Sequence, residues 1–502
     1  MTTPLPTHVD TAIVGAGFAG LCAAIKLDEA GRSDFVVLER NTEVGGTWEA
    51  NSYPGCACDV PSHLYSFSFA PNPDWHHAFS RQPQIFDYLK SVATRYRLYD
   101  RIHFSTAMTG ADWDDSAGLW VVSTSRGGFT ANHLILGAGG LSDPSLPAIA
   151  GIETFAGTTF HSATWDHEHS LTGERVAVIG TGASAIQFVP HVQQQAAQLT
   201  VFQRTAPWVL PRRDRAYGRF ERRLNRLVPG LQRAVRARMY ALRELWLVGF
   251  AVRPSILRYA EKIALRHLSK QVPDPVLRAK LTPKFRLGCK RVLLSNDYYP
   301  ALSQPNAEVV TDRIVEIRRH AIVTESDAGD RVEHPVDTII FGTGFQVTDP
   351  PSAHVVRGSS GATLAEQWQA SGMAAHRGTT IAGFPNLYML VGPNTGLGHN
   401  SIVLMIEAQV GYLIDLMRKA GPDTVLAPTQ TAQDAYNGEV QRKLAGTVWN
   451  TGGCQSWYLD ANGRNTTLWP TFTFEFMREL RRADLAEYDV RPRVTLPETI
   501  SA

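Results

Sequence analysis

Residues 11–25 read TAIVGAGFAGLCAAI, an apolar run that is interrupted by Gly15, Gly17 and Gly20. A strand that passes through such a turn into an Ala-rich helix is typical of a βαβ unit that binds a dinucleotide. Glycines let the backbone approach a pyrophosphate at the N-terminus of the helix. The next apolar run, FVVLER, contains Glu39, whose carboxylate can accept hydrogen bonds from ribose hydroxyls. Taken alone, such a turn can also be only a tight connection between a strand and a helix.

The pattern starts again at residues 175–187, RVAVIGTGASAIQ, with Ala185 in the place of the third glycine. Arg204 lies at the position in this second unit that Glu39 occupies in the first. A guanidinium there can pair with a 2′-phosphate, whereas a carboxylate suits an unmodified adenosine ribose. We therefore predict FAD at the first unit, with NAD as the alternative, and NADPH at the second.

The composition is typical of an ordinary globular protein. A chain of 502 residues exceeds the size of one hydrophobic core, so two or more domains are expected. Hydrophobic residues make up 44% and charged residues 19%, and the net charge is +2, which indicates no bulk attraction to nucleic acid or to membrane. No apolar run is long enough for a transmembrane helix and no signal peptide is visible, so we expect a cytoplasmic protein.

The five cysteines are an odd number without the spacing of a zinc site. This pattern favours a reducing cytosol over a disulfide framework. No metal site is predicted.

The order of the apolar runs predicts an α/β protein with two Rossmann-like dinucleotide-binding domains, for FAD and NADPH, and an inserted helical subdomain. Residues 212–243 are dense in arginine and poor in strand signals. We interpret them as helices with a solvated face, with contact to anionic lipid as the alternative. Strand-like runs return at residues 337–345 and 386–394. A long helix is then predicted from Asn400 or Ser401 to just before Gly421.

The predicted domain division interleaves the two nucleotide-binding domains. It consists of residues 1–148 (FAD-binding domain, first part), 149–210 (NADPH-binding domain, first part with linker), 211–285 (helical subdomain), 286–342 (NADPH-binding domain, second part) and 343–502 (FAD-binding domain, second part).

Residues 45–59, GGTWEANSYPGCACD, favour a flavin at the first unit. The two glycines allow close passage of the backbone, and Trp48 and Tyr53 offer flat surfaces suited to an extended ring system. Asp59 adds a carboxylate on a loop, although an aspartate in such a place can also simply cap a turn.

Residues 155–166, FAGTTFHSATWD, lie between the two glycine turns and fit the pattern FxGxxxHxxxW followed by Pro or Asp. That pattern is the fingerprint of the Baeyer-Villiger monooxygenases of type I, which are single-chain and depend on FAD and NADPH. The chain resembles this family over nearly its whole length, because residues 45–59 and 288–300 (GCKRVLLSNDYYP) match further family signatures in order.

The resemblance implies a mechanical role for the segment between the turns. Its matching residues would hold the linker while the cofactors are repositioned, with general-base catalysis by His161 as the alternative. The linker residues are Phe155, Gly157, His161, Trp165 and Asp166.

The resemblance also implies that Arg291 lies over the flavin and stabilises an anionic peroxide on it, while Asp59 orients Arg291. A permanently charged guanidinium suits this task because a C4a-peroxyflavin must stay deprotonated to attack a carbonyl. Lys290 would join Arg204 at the 2′-phosphate, and Trp457 matches a tryptophan on a mobile loop that closes over NADPH. Spacing alone would also allow Lys290 and Arg291 to be a solvated basic pair.

The predicted catalytic residues are Arg291 and Asp59. The predicted cofactor-binding residues come from both units and from the later segments: Gly15, Gly17, Gly20, Glu39, Thr47, Trp48, Asp59, Tyr65, Ser401, Gly180, Thr181, Gly182, Ser184, Ala185, Arg204, Thr205, Lys290, Arg291 and Trp457.

The predicted activity is that of an NADPH- and O2-dependent monooxygenase that converts a ketone to an ester or lactone through a C4a-peroxyflavin, with sulfide oxidation as a side activity. A heteroatom-oxidising flavin monooxygenase and a non-catalytic flavin-binding redox module are the alternatives. A disulfide reductase is disfavoured because no CxxxxC follows the first unit. The expected partners are a small-molecule ketone and O2, with no nucleic acid.

Overall fold

The computed structural model describes residues 4–460 and 462–493. In that part of the chain the strands are β1 (His8–Val14), β2 (Phe35–Leu38), β3 (Ile102–His103), β4 (Met108–Asp114), β5 (Leu119–Thr124), β6 (Gly127–Leu136), β7 (Thr158–His161), β8 (Arg175–Ile179), β9 (Gln198–Phe202), β10 (Val209–Leu210), β11 (Leu293–Leu294), β12 (Ala307–Val310), β13 (Arg313–Arg318), β14 (Ala321–Glu325), β15 (Arg331–Pro335), β16 (Thr338–Phe341), β17 (Val356–Arg357), β18 (Thr380–Ile381), β19 (Phe384–Met389), β20 (Thr424–Pro428) and β21 (Tyr488–Pro492).

The helices of the same residues are α1 (Phe18–Glu29), α2 (Thr47–Ala50), α3 (Gln82–Arg95), α4 (Ala185–Gln193), α5 (Arg219–Leu227), α6 (Pro229–Leu247), α7 (Leu257–Gln271), α8 (Pro275–Lys280), α9 (Tyr298–Leu302), α10 (Leu364–Ser371), α11 (Ile402–Ala420), α12 (Gln430–Leu444), α13 (Val448–Thr451) and α14 (Thr473–Glu479). A π-helical turn, Val248–Val252, continues α6 toward α7.

The first sheet contains the first predicted βαβ unit. Its strands run in the order β17-β4-β5-β6-β1-β2-β3, and β19 joins the C-terminal end of β6. β1 pairs in parallel with β2 on one side and with β6 on the other. α1 can pack against the turn because Gly20 has no side chain: a Cβ there would lie 1.8 Å from the carbonyl oxygen of Gly15. The first predicted unit is therefore confirmed.

The second sheet is parallel and contains the second unit. Its described strands run in the order β12-β9-β8-β16-β7, and α4 connects β8 to β9. β7, which carries residues of the linker fingerprint, lies at the edge of this sheet and pairs with β16. A separate antiparallel sheet, β13-β14-β15, precedes β16 in the chain.

The helical insert lies between the short paired strands β10 and β11 and consists of α5 to α8. The predicted fold class, two Rossmann-like units with an inserted helical subdomain, is confirmed. The residue boundaries of the domains stay a prediction.

α11 agrees with the predicted long helix. It runs from Ile402 to Ala420, and the Ser401 hydroxyl accepts a hydrogen bond from the backbone N–H of Val403 at 3.3 Å. Gly421 with φ of +92° follows its last residue and ends it.

The cysteines differ from the expectation of an all-thiol protein. Cys289 and Cys454 form a disulfide across 165 residues, so the expectation is wrong for this pair. Sequence spacing could not reveal the pair, because only the fold brings the two segments together. Cys22, Cys56 and Cys58 are free and buried, and burial raises the pKa of each thiol.

Residues 4–460 and 462–493 lack two further features. None of their helices combines the length and apolar character required to cross a bilayer. No group of three or more His, Cys, Asp or Glu side chains in the same ranges could hold a metal ion.

Candidate active site

Glu39 lies at the end of β2 with its carboxylate buried against the first glycine turn. One carboxylate oxygen accepts from the backbone N–H of Ala16 at 2.8 Å, and the other accepts from Asn41 at 2.9 Å. Because each carboxylate oxygen has two lone pairs, both can accept a further hydrogen bond from a ligand. The carboxylate is therefore fixed beside the first glycine turn.

The loop from Gly45 to Tyr65 packs on the same turn. The Gly45 N–H donates to the Ala16 carbonyl at 3.0 Å, and Thr47 begins α2 directly afterwards. The indole N–H of Trp48 donates to the Tyr65 hydroxyl at 3.1 Å. The structure therefore brings Thr47, Trp48 and Tyr65 together beside the first unit.

The second unit presents open backbone and two cations. A Cβ on Gly182 would have no described atom within 4 Å, whereas Gly180 abuts the backbone of Gly342. Arg204 is exposed, and burial together with the Arg204 charge lowers the pKa of Lys290. Among the described residues neither cation has an ion-pair partner, so an anion can take that place. These features fit a dinucleotide with an additional phosphate.

Asp59 and Arg291 form a two-pronged ion pair. Arg291 Nε and Nη2 donate to the two Asp59 oxygens at 2.6 and 2.7 Å, and the side chains keep 28% and 27% exposure. Burial acts to raise the pKa of the Asp59 carboxyl, but the Arg291 guanidinium and Arg243 hold it below its usual range. Burial likewise acts to lower the pKa of Arg291, and Asp59 raises it instead. Both groups therefore stay charged.

Arg291 also contacts the segments that flank it. Its Nη1 donates to the Leu397 carbonyl at 3.3 Å, four residues before Ser401 and the start of α11. Burial raises the pKa of the Tyr458 phenol to about 12, and the Arg291 charge opposes that rise, so the two side chains are neighbours. Trp457 is 43% exposed and its ring lies 4.5 Å from that of Tyr458.

The disulfide ties together the same two segments. Cys289 directly precedes Lys290 and Arg291, and Cys454 lies three residues before Trp457. The predicted catalytic arginine and the predicted cofactor-closing tryptophan are therefore covalently linked through their neighbours.

The linker connects the two units by ring packing. Trp165 packs on Phe160 and on Phe188 of α4, with ring centroids 5.1 and 5.3 Å apart. Phe188 in turn contacts Tyr53 of the first unit at 6.0 Å. The Tyr53 hydroxyl donates to Gln187 of α4 at 3.0 Å, so this tyrosine joins the units and its ring is buried.

His161 is buried at the C-terminal end of β7. Its Nδ1 accepts from the Ala163 N–H at 3.1 Å, and its ring lies 5.6 Å from Phe345. Burial lowers the pKa of His161 to about 4, so the imidazole is neutral at pH 7. A buried neutral ring with Nδ1 occupied is suited to holding the linker rather than to transferring protons.

The remaining linker residues have local roles. Gly157 approaches the Asp337 carbonyl so closely that a Cβ would lie 2.1 Å from that oxygen. Asp166 accepts from the N–H groups of Glu168 and His169 and so caps a turn of its own. No described contact joins Asp166 to the Asp59–Arg291 pair.

Sequence reasoning missed two charged residues of α6. Arg243 donates to the Asp59 carbonyl at 3.1 Å, and Glu244 accepts from the Asn400 amide at 2.6 Å and from the Thr473 N–H at 3.0 Å. A signal was present for Arg243, because it lies four residues before buried Leu247 and thus on the inner stripe of the helix.

Comparison with known proteins gives matches over almost the whole chain. A family model described as Pyridine nucleotide-disulphide oxidoreductase matches residues 12–238. A Baeyer-Villiger monooxygenase of Streptomyces coelicolor is 52% identical over 96% of this chain and 93% of its own length. One of Pseudomonas aeruginosa is 47% identical over 97% of this chain and 93% of its own.

Solved structures match equally far. Cyclohexanone monooxygenase from Rhodococcus sp. Phi1, bound to NADP+, is similar with a TM-score of 0.85 at 27% identity, over 97% of this chain and all of that one. A structure titled as OTEMO in complex with FAD and NADP has a TM-score of 0.84 at 25% identity, over 96% of this chain and 99% of that one.

Proposed function

The chain belongs to the Baeyer-Villiger monooxygenases, and from this premise we propose how its residues divide the work. It is an NADPH-dependent oxidoreductase that carries FAD and converts ketones to esters or lactones. When bound, FAD would supply the redox chemistry of the reaction, with NADPH as the reductant and O2 as the source of the inserted oxygen atom. The side chains of this protein bind the two cofactors, stabilise the developing charge and connect the two units.

The first unit holds FAD and the second holds NADPH. Glu39 is fixed by two backbone N–H groups, which supports its role as acceptor for the FAD ribose. Arg204 and Lys290 bind the 2′-phosphate of NADPH, since both are cations without a described acidic partner and the Arg204 charge contributes to lowering the pKa of Lys290. The first unit with its later strands forms the FAD-binding domain, and the second unit forms the NADPH-binding domain.

Arg291 stabilises the negative charge that develops on oxygen during insertion. The observation that supports this role is its two-pronged pairing with Asp59 beside the start of α11. The carboxylate keeps the guanidinium charged and fixes its plane, while the exposed remainder of the side chain can donate to a ligand oxygen. The guanidinium cannot give its proton away at neutral pH.

The linker keeps the two nucleotide-binding units in contact while they are repositioned. Its rings connect α4 to the first unit through Trp165, Phe188 and Tyr53, which supports a mechanical role. His161 stays neutral and orients the strand end. A cytoplasmic location remains part of the proposal.

The experiment is turnover of the purified holoprotein with NADPH under 18O2 and a panel of linear, cyclic and aromatic ketones. We expect an ester or lactone that carries one labelled oxygen, with NADPH consumed in proportion. NADPH consumption that yields only hydrogen peroxide would contradict the proposal. Labelled sulfoxides or N-oxides without any ester would favour a heteroatom-oxidising enzyme instead.

A further inference from the structure

The helical insert holds a large share of the positive charge of the protein. Residues 211–285 contain 19 Lys and Arg but only 5 Asp and Glu, whereas the rest of the chain contains 30 basic and 42 acidic residues. The overall net charge of +2 therefore hides a strongly basic insert on an acidic body. This separation of charge gives the insert a positive electrostatic potential.

α6 uses some of its arginines internally. Arg236 donates to the carbonyls of His63 and Ser66 at 2.7 and 2.9 Å, and Arg243 donates to the Asp59 carbonyl. These two side chains fasten the helix to the first unit. The outer stripe of α6 differs in character and is exposed throughout: Arg233, Ala234, Ala237, Arg238, Ala241, Leu242 and Leu245.

Large apolar side chains are exposed where α6 ends and α7 begins. Five of them have between 51% and 73% exposure. We call them, with the exposed basic residues among them, the docking patch: Leu242, Leu245, Val252, Ile256, Tyr259, Arg238, Arg253, Arg258 and Lys262. Exposed apolar patches are typical of interaction sites, and these five residues lie within residues 242–259, where α6, the π-helical turn and α7 follow one another.

Acidic side chains are turned away from the docking patch. Between Arg222 and Pro273 the only acidic residues in the sequence are Glu244 and Glu261. Glu244 is buried against Asn400, and Glu261 accepts from the Leu287 N–H and pairs with Arg286. The basic residues of the patch make no ion pair within the described part of the chain, so their charge is available to an external partner.

We propose that the docking patch binds the anionic surface of a phospholipid bilayer. Lipid headgroups pair with its cations, and the boundary of the acyl chains accepts Leu, Val, Ile and Tyr side chains. A nucleic acid would use the cations but leave the aliphatic side chains in water. A symmetric contact with a second copy would place cations against cations. An anionic bilayer satisfies both kinds of side chain.

The test is co-sedimentation of the FAD-loaded full chain with phosphatidylcholine vesicles that contain phosphatidylglycerol, compared with phosphatidylcholine alone. We expect binding only to the anionic vesicles, and weaker binding as salt rises. Arg238→Gln/Arg258→Gln should weaken binding about tenfold or more, because it removes two cations that would pair with the anionic headgroups. Leu245→Ser/Ile256→Ser should weaken it similarly while the charge is unchanged.

Matched controls use exposed residues outside the insert. Leu146→Ser/Val332→Ser removes apolar side chains of comparable exposure, and Arg313→Gln removes an exposed charge. Both should bind vesicles as the unchanged protein does.

Three results would overturn the proposal. They are no binding to anionic vesicles, equal binding by the patch variants and the controls, or a patch that only mediates self-association, seen as a concentration-dependent mass in sedimentation velocity that Leu245→Ser/Ile256→Ser abolishes. Tight binding of a DNA or RNA oligonucleotide that needs the arginines but not the apolar side chains, without vesicle binding, would assign the patch to nucleic acid instead.

Discussion

Arg291 shows how one side chain can depend on several distant segments. Its partner Asp59 follows the first unit, Leu397 precedes α11, and Tyr458 belongs to the C-terminal part of the chain. Since a partly buried cation without a partner is costly, each of these contacts helps to keep the charge where it is. The position of the guanidinium is thus set by the fold as a whole.

Arg291→Ala should separate the two half-reactions. Hydride transfer depends on NADPH binding through the second unit, so anaerobic reduction of the flavin, followed by absorbance, should survive in part. Ester formation should fall about 100-fold or more, by analogy with the loss of an oxyanion-hole donor worth about 3 kcal/mol. Arg286→Ala, which breaks a neighbouring ion pair with Glu261, is the control and should retain both activities. Normal ester yield in Arg291→Ala would place the catalytic cation elsewhere.

Arg204→Gln should change the choice of nicotinamide cofactor. NADPH would lose the ion pair between its 2′-phosphate and Arg204, whereas NADH has no such phosphate. The KM for NADPH should therefore rise about tenfold or more, while the KM for NADH stays nearly unchanged. Steady-state kinetics with both cofactors gives the result, and Arg313→Gln serves as the charge control. Equal increases for both cofactors would remove Arg204 from the phosphate site.

Buried histidines should make the protein sensitive to mild acid. Burial lowers the pKa of His161 to about 4 in the folded protein, whereas its pKa in the unfolded chain is about 6.5. Between these two pH values the imidazole is protonated in the unfolded chain but neutral in the folded protein. The stabilisation is complete above pH 6.5 and is lost as pH falls; by pH 5 the loss is about 2 kcal/mol for this residue. His161→Gln should therefore lose less stability between pH 7 and pH 5 than the unchanged protein, measured by thermal unfolding. A parallel fall in both proteins would show that folding does not lower the pKa of His161.

The linker is a short element whose rings act across both sheets. β7 belongs to the edge of the second sheet, and the residues that follow it reach α4 and through it the loop of the first unit. Ring contacts between the two nucleotide-binding units can slide while the backbone pairing of β7 is kept. Such contacts suit repeated domain motion.

His161→Ala should keep the fold and the bound FAD but lower turnover by about tenfold or more, because the strand end that positions the linker loses its anchor. Visible absorbance of the bound flavin and circular dichroism report the first two properties. His169→Ala, in the same segment and bonded to Glu174 and Thr338, is the matched control. Loss of FAD or of fold in His161→Ala would make the histidine a simple core residue.

Elements with strong local signals were predictable from the sequence. The two glycine turns, α11 with its Ser401 cap and the helical nature of the insert follow from periodicity and turn chemistry. The Cys289–Cys454 bond and the inward direction of Arg243 did not follow, because both depend on contacts between residues far apart in sequence. The pairing of Asp59 with Arg291 came from family resemblance, since their spacing alone carries no such information.

At the scale of the molecule, the two sheets are interleaved along the chain. The first takes strands from before and after the second, and the insert α5 to α8 is in turn placed within the second. α6 therefore touches both parts of the predicted FAD-binding domain: Arg243 contacts Asp59 in the first part, and Glu244 contacts Asn400 just before α11 in the second. The basic insert therefore contributes residues that surround the Asp59–Arg291 ion pair.

The interleaving imposes an order on biosynthesis. A ribosome releases Phe341, and with it every described strand of the second sheet, before it has made β19, which covers the C-terminal end of β6. The nascent β6 then carries an unpaired edge while a later part of the polypeptide is already able to fold, and such edges attract aggregation and chaperones. When ribosome-stalled chains are digested with protease, the second sheet should resist cleavage if the stall follows residue 380. β6 should resist cleavage only if the stall follows residue 430. Protection of β6 at the earlier stall would show that the first sheet closes without its late strand.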